Sequence, residues 1–128
     1  MQSQADLLAA VQLYFEAIHE CDTVKLNKVF HPASSLFDGD NGTIFVEPID
    51  SFSRDVGGRT SPDSVGQALT AEVLLIDYLS PLSATVKIRI QAHRNVFVDH
   101  LGFVKGKDGW QIVSKIWHLE SVLPEDEA

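Results

Sequence analysis

A chain of 128 residues with 45% hydrophobic residues predicts a single globular domain spanning residues 1–128, because a second core would need a longer chain. Its formal net charge of −8 argues against a nucleic-acid-binding protein, since phosphates attract a basic surface. One cysteine, Cys21, excludes an internal disulfide and a cysteine-based metal cluster. Neither a signal peptide nor an apolar run of the roughly 20 residues that span a bilayer is recognisable, so we expect a cytoplasmic protein without membrane contact.

The first part of the chain predicts helices. Over residues 7–18, apolar side chains recur at three- and four-residue steps, the period of an amphipathic helix. Asp22 is suited to cap a second, short helix, which Pro32 is expected to end. A third, short helix is expected to have its N-cap at Asp50.

Strands dominate the remainder. The turn sequence Asp-Gly-Asp-Asn-Gly at 38–42 lies between two strand-like stretches and predicts a hairpin. After residue 66, four longer strands are expected, and apolar and polar residues alternate most clearly over 84–93. On the same alternation, Trp110 and Trp117 should face opposite sides of the last strand, because seven positions separate them. Helices followed by an antiparallel meander predict an α+β fold with the helices on one sheet face.

Asp99 stands out against this pattern. It lies within residues 96–104, which otherwise predict a buried strand, and it shares a face with Phe97 and Leu101. A carboxylate on an apolar face costs on the order of several kcal/mol unless it is protonated, paired or facing a cavity. Asp99 therefore indicates a pocket with acid chemistry. The alternative is a half-covered strand in which Asp99 accepts a hydrogen bond.

The order of elements resembles that of the nuclear transport factor 2-like superfamily, which has the cystatin-like fold. Residues 103–115, Phe-Val-Lys-Gly-Lys-Asp-Gly-Trp-Gln-Ile-Val-Ser-Lys, are most similar to its lumazine-binding branch, which favours an Asp-Gly-x-Trp-x-Ile turn into the final strand. The resemblance implies a cone-shaped, strongly bent antiparallel sheet wrapped around the N-terminal helices. It also implies a homodimer formed through the outer sheet face.

Three positions are also similar to those of ketosteroid isomerase, another member of the superfamily. Residues 11–14, Val-Gln-Leu-Tyr, match its opening helix, Asp38 falls in register with its catalytic base, and Asp99 precedes His and an apolar residue as its second acid does. In that enzyme, the tyrosine and the protonated second acid donate hydrogen bonds to a developing oxyanion. The resemblance implies an isomerase, dehydratase or cyclase with Asp38 as the base and Tyr14 and Asp99 as the oxyanion donors.

Each of these positions also has a purely structural interpretation. Tyr14 fits a core aromatic residue whose hydroxyl bonds one backbone group. Asp38 fits a turn residue whose carboxylate accepts hydrogen bonds from nearby amides. Whether the protein is an enzyme therefore stays open at this point.

The sequence favours a small-molecule-binding domain, with a non-catalytic dimeric accessory protein as a further alternative. Its apolar cavity is expected to hold a small, flat, apolar or aromatic molecule, with Tyr14 and Asp99 as the polar groups. No cofactor is predicted, and no metal, because the five histidines lack ligand spacing. The residues expected to contact the ligand are Phe30, Phe37, Phe52, Phe97, Leu101, Trp117 and His118.

Overall fold

The computed structural model describes residues 4–125, which form helices packed on one face of a six-stranded sheet. The helices are α1 (Gln4–Glu20), α2 (Thr23–Val29) and α3 (Ile49–Gly57), with a 3-10 turn at Asp63–Val65. The strands are β1 (Phe30–Asp38), β2 (Phe45–Pro48), β3 (Ala71–Ser80), β4 (Ser83–Ala92), β5 (Asn95–Gly106) and β6 (Gly109–Val122). The α+β class predicted from the sequence is confirmed.

The helices follow their apolar stripes. In α1, Leu7, Val11 and Tyr14 repeat at helical spacing and are all buried. Asp22 caps α2 as expected, since its Oδ1 accepts hydrogen bonds from the backbone nitrogens of Val24 and Lys25 at 3.0 and 3.1 Å. Within the described part of the chain, no helix has the length and hydropathy needed to cross a membrane.

Two helix boundaries differ from the predictions. α2 ends at Val29, and Pro32 lies inside β1, so the proline does not end the helix. The N-cap position of α3 is Pro48 rather than Asp50, which lies in the first helical turn. Pro48 has the extended backbone of an N-cap residue (φ −62°, ψ 152°), but its side chain makes no capping hydrogen bond.

The sheet is mixed, with the strand order β2-β1-β6-β5-β4-β3. The predicted hairpin is present, with Asp38 opposite Phe45 across the β1–β2 pair. However, β1 runs parallel to β6, while every other neighbouring pair is antiparallel. The expectation of a wholly antiparallel sheet is therefore wrong at this pair. After β2 and α3 the chain crosses to the opposite edge of the sheet at β3, and the meander from β3 to β6 then returns to lie beside β1.

A bulge in β6 changes which residues face the helices. Gly102 pairs with Ser114 and Phe103 with Ile112, so Val113 is an extra residue on β6. An extra residue inverts the alternation of the side chains that follow it. Trp110 and Trp117 consequently both lie on the inner face, and the prediction that they face opposite sides is wrong.

The outer face of the sheet keeps apolar side chains in contact with solvent. Its exposed apolar residues come from β3, β5 and β6 and include Leu75, Val104, Val113 and Ile116. The inner face, in contrast, forms one core with the three helices. The two faces of the sheet therefore have different environments.

Candidate functional site

A pocket of about 130 Å³ lies between α1, α3 and the inner face of the sheet. Its largest apolar walls are aromatic. Phe97 and Trp117 pack edge to face with ring centroids 5.9 Å apart, and Phe52 lies on the α3 side. The full lining is Tyr14, Ile18, Glu47, Phe52, Arg59, Ile90, Ala92, Phe97, Asp99, Lys115 and Trp117.

A buried polar cluster lies against these walls. The Tyr14 hydroxyl donates a hydrogen bond of 2.7 Å to Oδ2 of Asp99. Lys115 Nζ lies 3.8 Å from the same oxygen. Tyr14 and Asp99 are at most 1% exposed, while 9% of the Lys115 side chain is accessible. Lys115 is therefore the most accessible member of the cluster.

Asp99 has unused hydrogen-bonding capacity. Its Oδ1 is buried and has no hydrogen-bond partner among the described residues. Buried acceptors nearly always have a hydrogen-bond partner in folded proteins. An acceptor without a partner is therefore unusual and indicates a role other than packing. The carboxyl group accepts from Tyr14 through one oxygen and leaves the other free.

Burial sets the protonation of the other two groups. Burial raises the pKa of Tyr14 well above its ordinary value, and the negative charge of Asp99 adds to this effect, so Tyr14 stays a hydrogen-bond donor. Burial lowers the pKa of Lys115, although the Asp99 charge acts in the opposite direction. The Lys115 ammonium also lies over the rings of Phe52 and Tyr14, 4.7 and 5.3 Å from their centroids.

Two further charged residues lie at the pocket wall. Glu47, on β2, accepts a 2.8 Å hydrogen bond from the Ser51 hydroxyl. The pKa of Glu47 is raised, mainly by burial and to a smaller extent by the neighbouring Asp55. Arg59 follows α3, and its guanidinium carbon lies 5.5 Å from the centroid of the Phe52 ring. Together with Asp99 and Lys115, they give the pocket two positive and two negative groups.

A second cavity adjoins this pocket. It has a volume of about 430 Å³ and shares Ile18, Arg59, Ala92 and Phe97 with the first. Its remaining lining comes from Cys21 between α1 and α2, from the loop after α3, and from the β4–β5 turn with the start of β5. A molecule larger than the inner pocket therefore has space to extend past Arg59.

The structure brings together only part of the residue set expected from the sequence. Tyr14, Phe52, Phe97, Asp99 and Trp117 all line the pocket. Phe30 and Leu101 are not pocket-lining residues but fully packed core residues, at 1% and 0% exposure. Phe30 instead packs against two residues of the pocket lining. The centroid of its ring lies 6.0 Å from that of Tyr14 and 6.4 Å from that of Phe52.

Asp38 does not line the pocket. It ends β1, and its Oδ2 accepts a 3.2 Å hydrogen bond from the backbone nitrogen of Asp40. This is the contact of a turn residue, which was the structural interpretation of Asp38. The three groups required by the isomerase-like arrangement, Tyr14, Asp38 and Asp99, therefore do not share the pocket.

Phe37 and His118 lie on the outer face of the sheet, contrary to the expectation that they contact a ligand in the interior. The neighbours of Phe37 on β1, Leu36 and Asp38, face inward, so alternation turns Phe37 outward. His118 is opposite in direction to Trp117, and its Nδ1 lies 2.7 Å from Oδ1 of Asp40. That contact ties the β1–β2 turn to β6.

Sequence reasoning missed Lys115, Glu47 and Arg59. Regular alternation from Ile112 turns Lys115 outward, and only the bulge at Val113 brings it inside. The one available signal was the lysine at the end of the motif shared with the lumazine-binding branch. Arg59 follows a short helix and has no periodic pattern that could indicate its direction. Among residues 4–125, no group of three His, Cys, Asp or Glu side chains is arranged to hold a metal ion.

Comparison with known protein families identifies the relatives of this chain. Residues 2–118 match the family described as "Putative lumazine-binding". The chain belongs to this family. No curated protein matches the sequence.

Solved structures share the fold of this lumazine-binding-family chain. An NTF2-like protein of unknown function from Shewanella baltica has a TM-score of 0.81 at 19% identity, covering 92% of this chain and 94% of its own. A similar protein of unknown function from Silicibacter pomeroyi has a TM-score of 0.79 at 19% identity, covering 91% and 94%. A ketosteroid isomerase-like protein from Erwinia carotovora atroseptica has a TM-score of 0.67 at 16% identity, covering 91% and 95%. The predicted nuclear transport factor 2-like, cystatin-like fold is confirmed.

Proposed function

We propose that this protein binds a small, flat, largely apolar molecule in the pocket between α1 and the inner sheet face. The observation that supports this most strongly is the arrangement of the lining. Three aromatic side chains, Phe52, Phe97 and Trp117, surround a buried cluster of convergent polar groups. Apolar walls with a few polar groups are typical of small-molecule sites.

Pocket size restricts the ligand. An apolar cavity of about 150 Å³ is large enough for benzene, and the inner pocket is about 130 Å³ with a larger cavity beside it. A one-ring or two-ring molecule fits this description. The family description makes lumazine, a flat bicyclic heterocycle, the first compound to test.

Isothermal titration calorimetry with lumazine and with quinoline, an apolar bicycle, tests the proposal. We expect saturable binding of at least one of them and weakening of about 10-fold or more by Phe97→Ala, because aromatic anchors carry much of the binding energy in such sites. Val98→Ala is the matched control, since it alters the next residue on the opposite sheet face. The proposal would be contradicted if neither compound binds, or if Phe97→Ala and Val98→Ala weaken binding equally.

Catalysis by proton transfer, with Asp38 as the base, stays a prediction. The hydrogen bond between Asp38 and the Asp40 amide, and the separation of Asp38 from the pocket lining, favour binding over that reaction. Cytoplasmic location and the absence of a nucleic-acid partner likewise stay predictions from composition.

The proposal includes a homodimer formed through the outer sheet face. It is supported by apolar side chains exposed on that face, among them Val113 and Ile116, the second of which is 56% exposed. Light scattering should give the mass of a dimer for the wild type and of a monomer for Ile116→Glu. Val65→Glu is the control, because Val65 is similarly exposed but lies in the 3-10 turn. A monomeric wild type would contradict a dimer.

A further inference from the structure

Lys115 differs from an ordinary surface lysine in how its ammonium group is held. Its nearest carboxylate oxygen among the described residues, Oδ2 of Asp99, lies at 3.8 Å, beyond hydrogen-bond distance. By contrast, Lys25 donates to Glu16 and Glu20 at 2.9 Å each. Lys115 therefore has a buried amine that is paired in charge but not fixed by a short hydrogen bond.

The surroundings of this amine suit a nucleophile. A neutral amine is needed for attack on a carbonyl carbon, and burial, which lowers the pKa of Lys115, favours the neutral form. Oδ2 of Asp99, which also accepts the Tyr14 hydrogen bond, is the carboxylate oxygen near the amine at 3.8 Å, so a proton acceptor lies beside Lys115. Aromatic side chains line the same space, so the amine lies in a partly apolar environment.

We propose that Lys115 forms an imine with a flat, apolar aldehyde or ketone that enters this pocket. The inference rests on the proposed function, because the carbonyl compound must occupy the proposed ligand site. It assigns the reactive atom as Lys115 Nζ and the ligand class as aromatic carbonyl compounds. Asp99 is assigned the transfer of the protons.

The reaction balances with the groups present. The Lys115 ammonium gives a proton to Asp99, and Nζ then attacks the carbonyl carbon, forming the C–N bond while the C–O π electrons move to oxygen. That oxygen takes the proton from Asp99, and Asp99 removes a second proton from the nitrogen. Asp99 passes this proton to the hydroxyl group, which leaves as water while the nitrogen lone pair forms the C=N bond. One protonated imine and one water result, and no oxidant or reductant is consumed.

Reductive trapping tests this inference on the full-length protein. The wild type would be incubated with 2-naphthaldehyde and sodium cyanoborohydride near neutral pH, and the modified lysines mapped by peptide mass spectrometry. We expect the first modification at Lys115 and modification of the whole protein about 10-fold slower or more in Lys115→Arg, because the nucleophile is absent. Lys28→Arg, a change at an exposed lysine of α2, should leave the rate unchanged.

Noncovalent binding of 2-naphthylmethanol, which has no carbonyl group, separates this inference from the proposed function. If the alcohol binds but the aldehyde modifies only exposed lysines such as Lys28, the imine inference is overturned and the binding function stands. If neither the alcohol nor the aldehyde is bound, both proposals fail. Because mapping is done on the wild type, a folding defect in the variant cannot hide the result. Lys115→Met also lacks the amine, and we expect it to react as slowly as Lys115→Arg. A native circular dichroism spectrum would show that this variant is folded.

Discussion

Two groups of opposite charges lie on the two faces of the same sheet. On the outer face, Arg89 donates to Glu72 at 2.6 Å and to Glu120 at 2.8 Å, and all three side chains are exposed to solvent by more than a third. On the inner face, Lys115 and Asp99 are 3.8 Å apart and less than a tenth exposed. The outer group thus has the shorter contacts and the inner group has the lower exposure.

The length of an ion pair and its contribution to stability need not agree in these two groups. Water screens the outer charges and solvates each partner if the other is removed, so short contacts there contribute little stability. Inside the core, loss of one partner leaves the other without solvation. We therefore expect the longer ion pair to matter more for stability, and the pocket it borders to be sensitive to single changes.

Separate substitution of the buried pair should have the largest effect. Asp99→Asn and Lys115→Met should each lower the free energy of unfolding by about 3–5 kcal/mol, because each leaves a buried group without its partner. The double variant should lose less than the sum of the two. Asp99→Leu should also destabilise, although it removes the cost of burying a carboxylate, since Lys115 loses its counter-charge. Urea unfolding measures all four, and an unchanged single variant would remove the basis for the comparison.

The bulge that turns Lys115 inward can be tested through Gly102. A Cβ at Gly102 would lie 2.6 Å from the Ser114 hydroxyl oxygen but 3.8 Å from its Cβ. Gly102→Ala should therefore cost about 1–3 kcal/mol, and Ser114→Ala in the same chain should restore most of the loss. Gly106→Ala is the control, because no atom lies within 4 Å of its added Cβ. Thermal unfolding gives the comparison, and equal effects at the two glycines would argue against a close contact at the bulge.

Stability should also depend on pH through the buried groups. Burial lowers the pKa of Lys115, so below its ordinary value of 10.5 the unfolded chain binds more protons than the folded one, and stability rises with pH in that window. Above pH 10.5 stability falls with rising pH, because Tyr14, whose pKa is raised, keeps its proton in the folded state and loses it in the unfolded chain. Urea unfolding at successive pH values should show the rise in the wild type and its loss in Asp99→Asn/Lys115→Met. A wild type that loses stability from pH 8 to 10 relative to this variant would contradict the assignment.

The smallest effect is expected on the outer face. Arg89→Met removes both short ion pairs, yet its exposed partners stay hydrated, so its unfolding midpoint in urea should stay close to that of the wild type. Any difference should shrink further as salt is added, because salt screens exposed charges. A loss as large as that of Lys115→Met would show that short distance, rather than burial, decides the stability contribution.

Much of this protein follows from local sequence pattern. The period of apolar residues predicts α1, and Asp22 predicts the start of α2, because helix periodicity and capping depend on residues within a few positions. The turn at 38–42 predicts the hairpin in the same way. Alternation along β5 also predicts that Asp99 faces inward with Leu101, since no bulge lies between them. These features need no knowledge of which strands are neighbours.

The composition of the pocket was decided by tertiary structure. The bulge at Val113 arises where β6 pairs with β5, and it reverses the facing of Lys115 and Trp117 relative to regular alternation. Arg59 reaches the pocket from a loop distant in sequence, and the parallel pairing of β1 with β6 joins opposite ends of the chain. Strand register and loop position depend on contacts between distant segments, so the sequence indicated the acid in the pocket but not the base beside it.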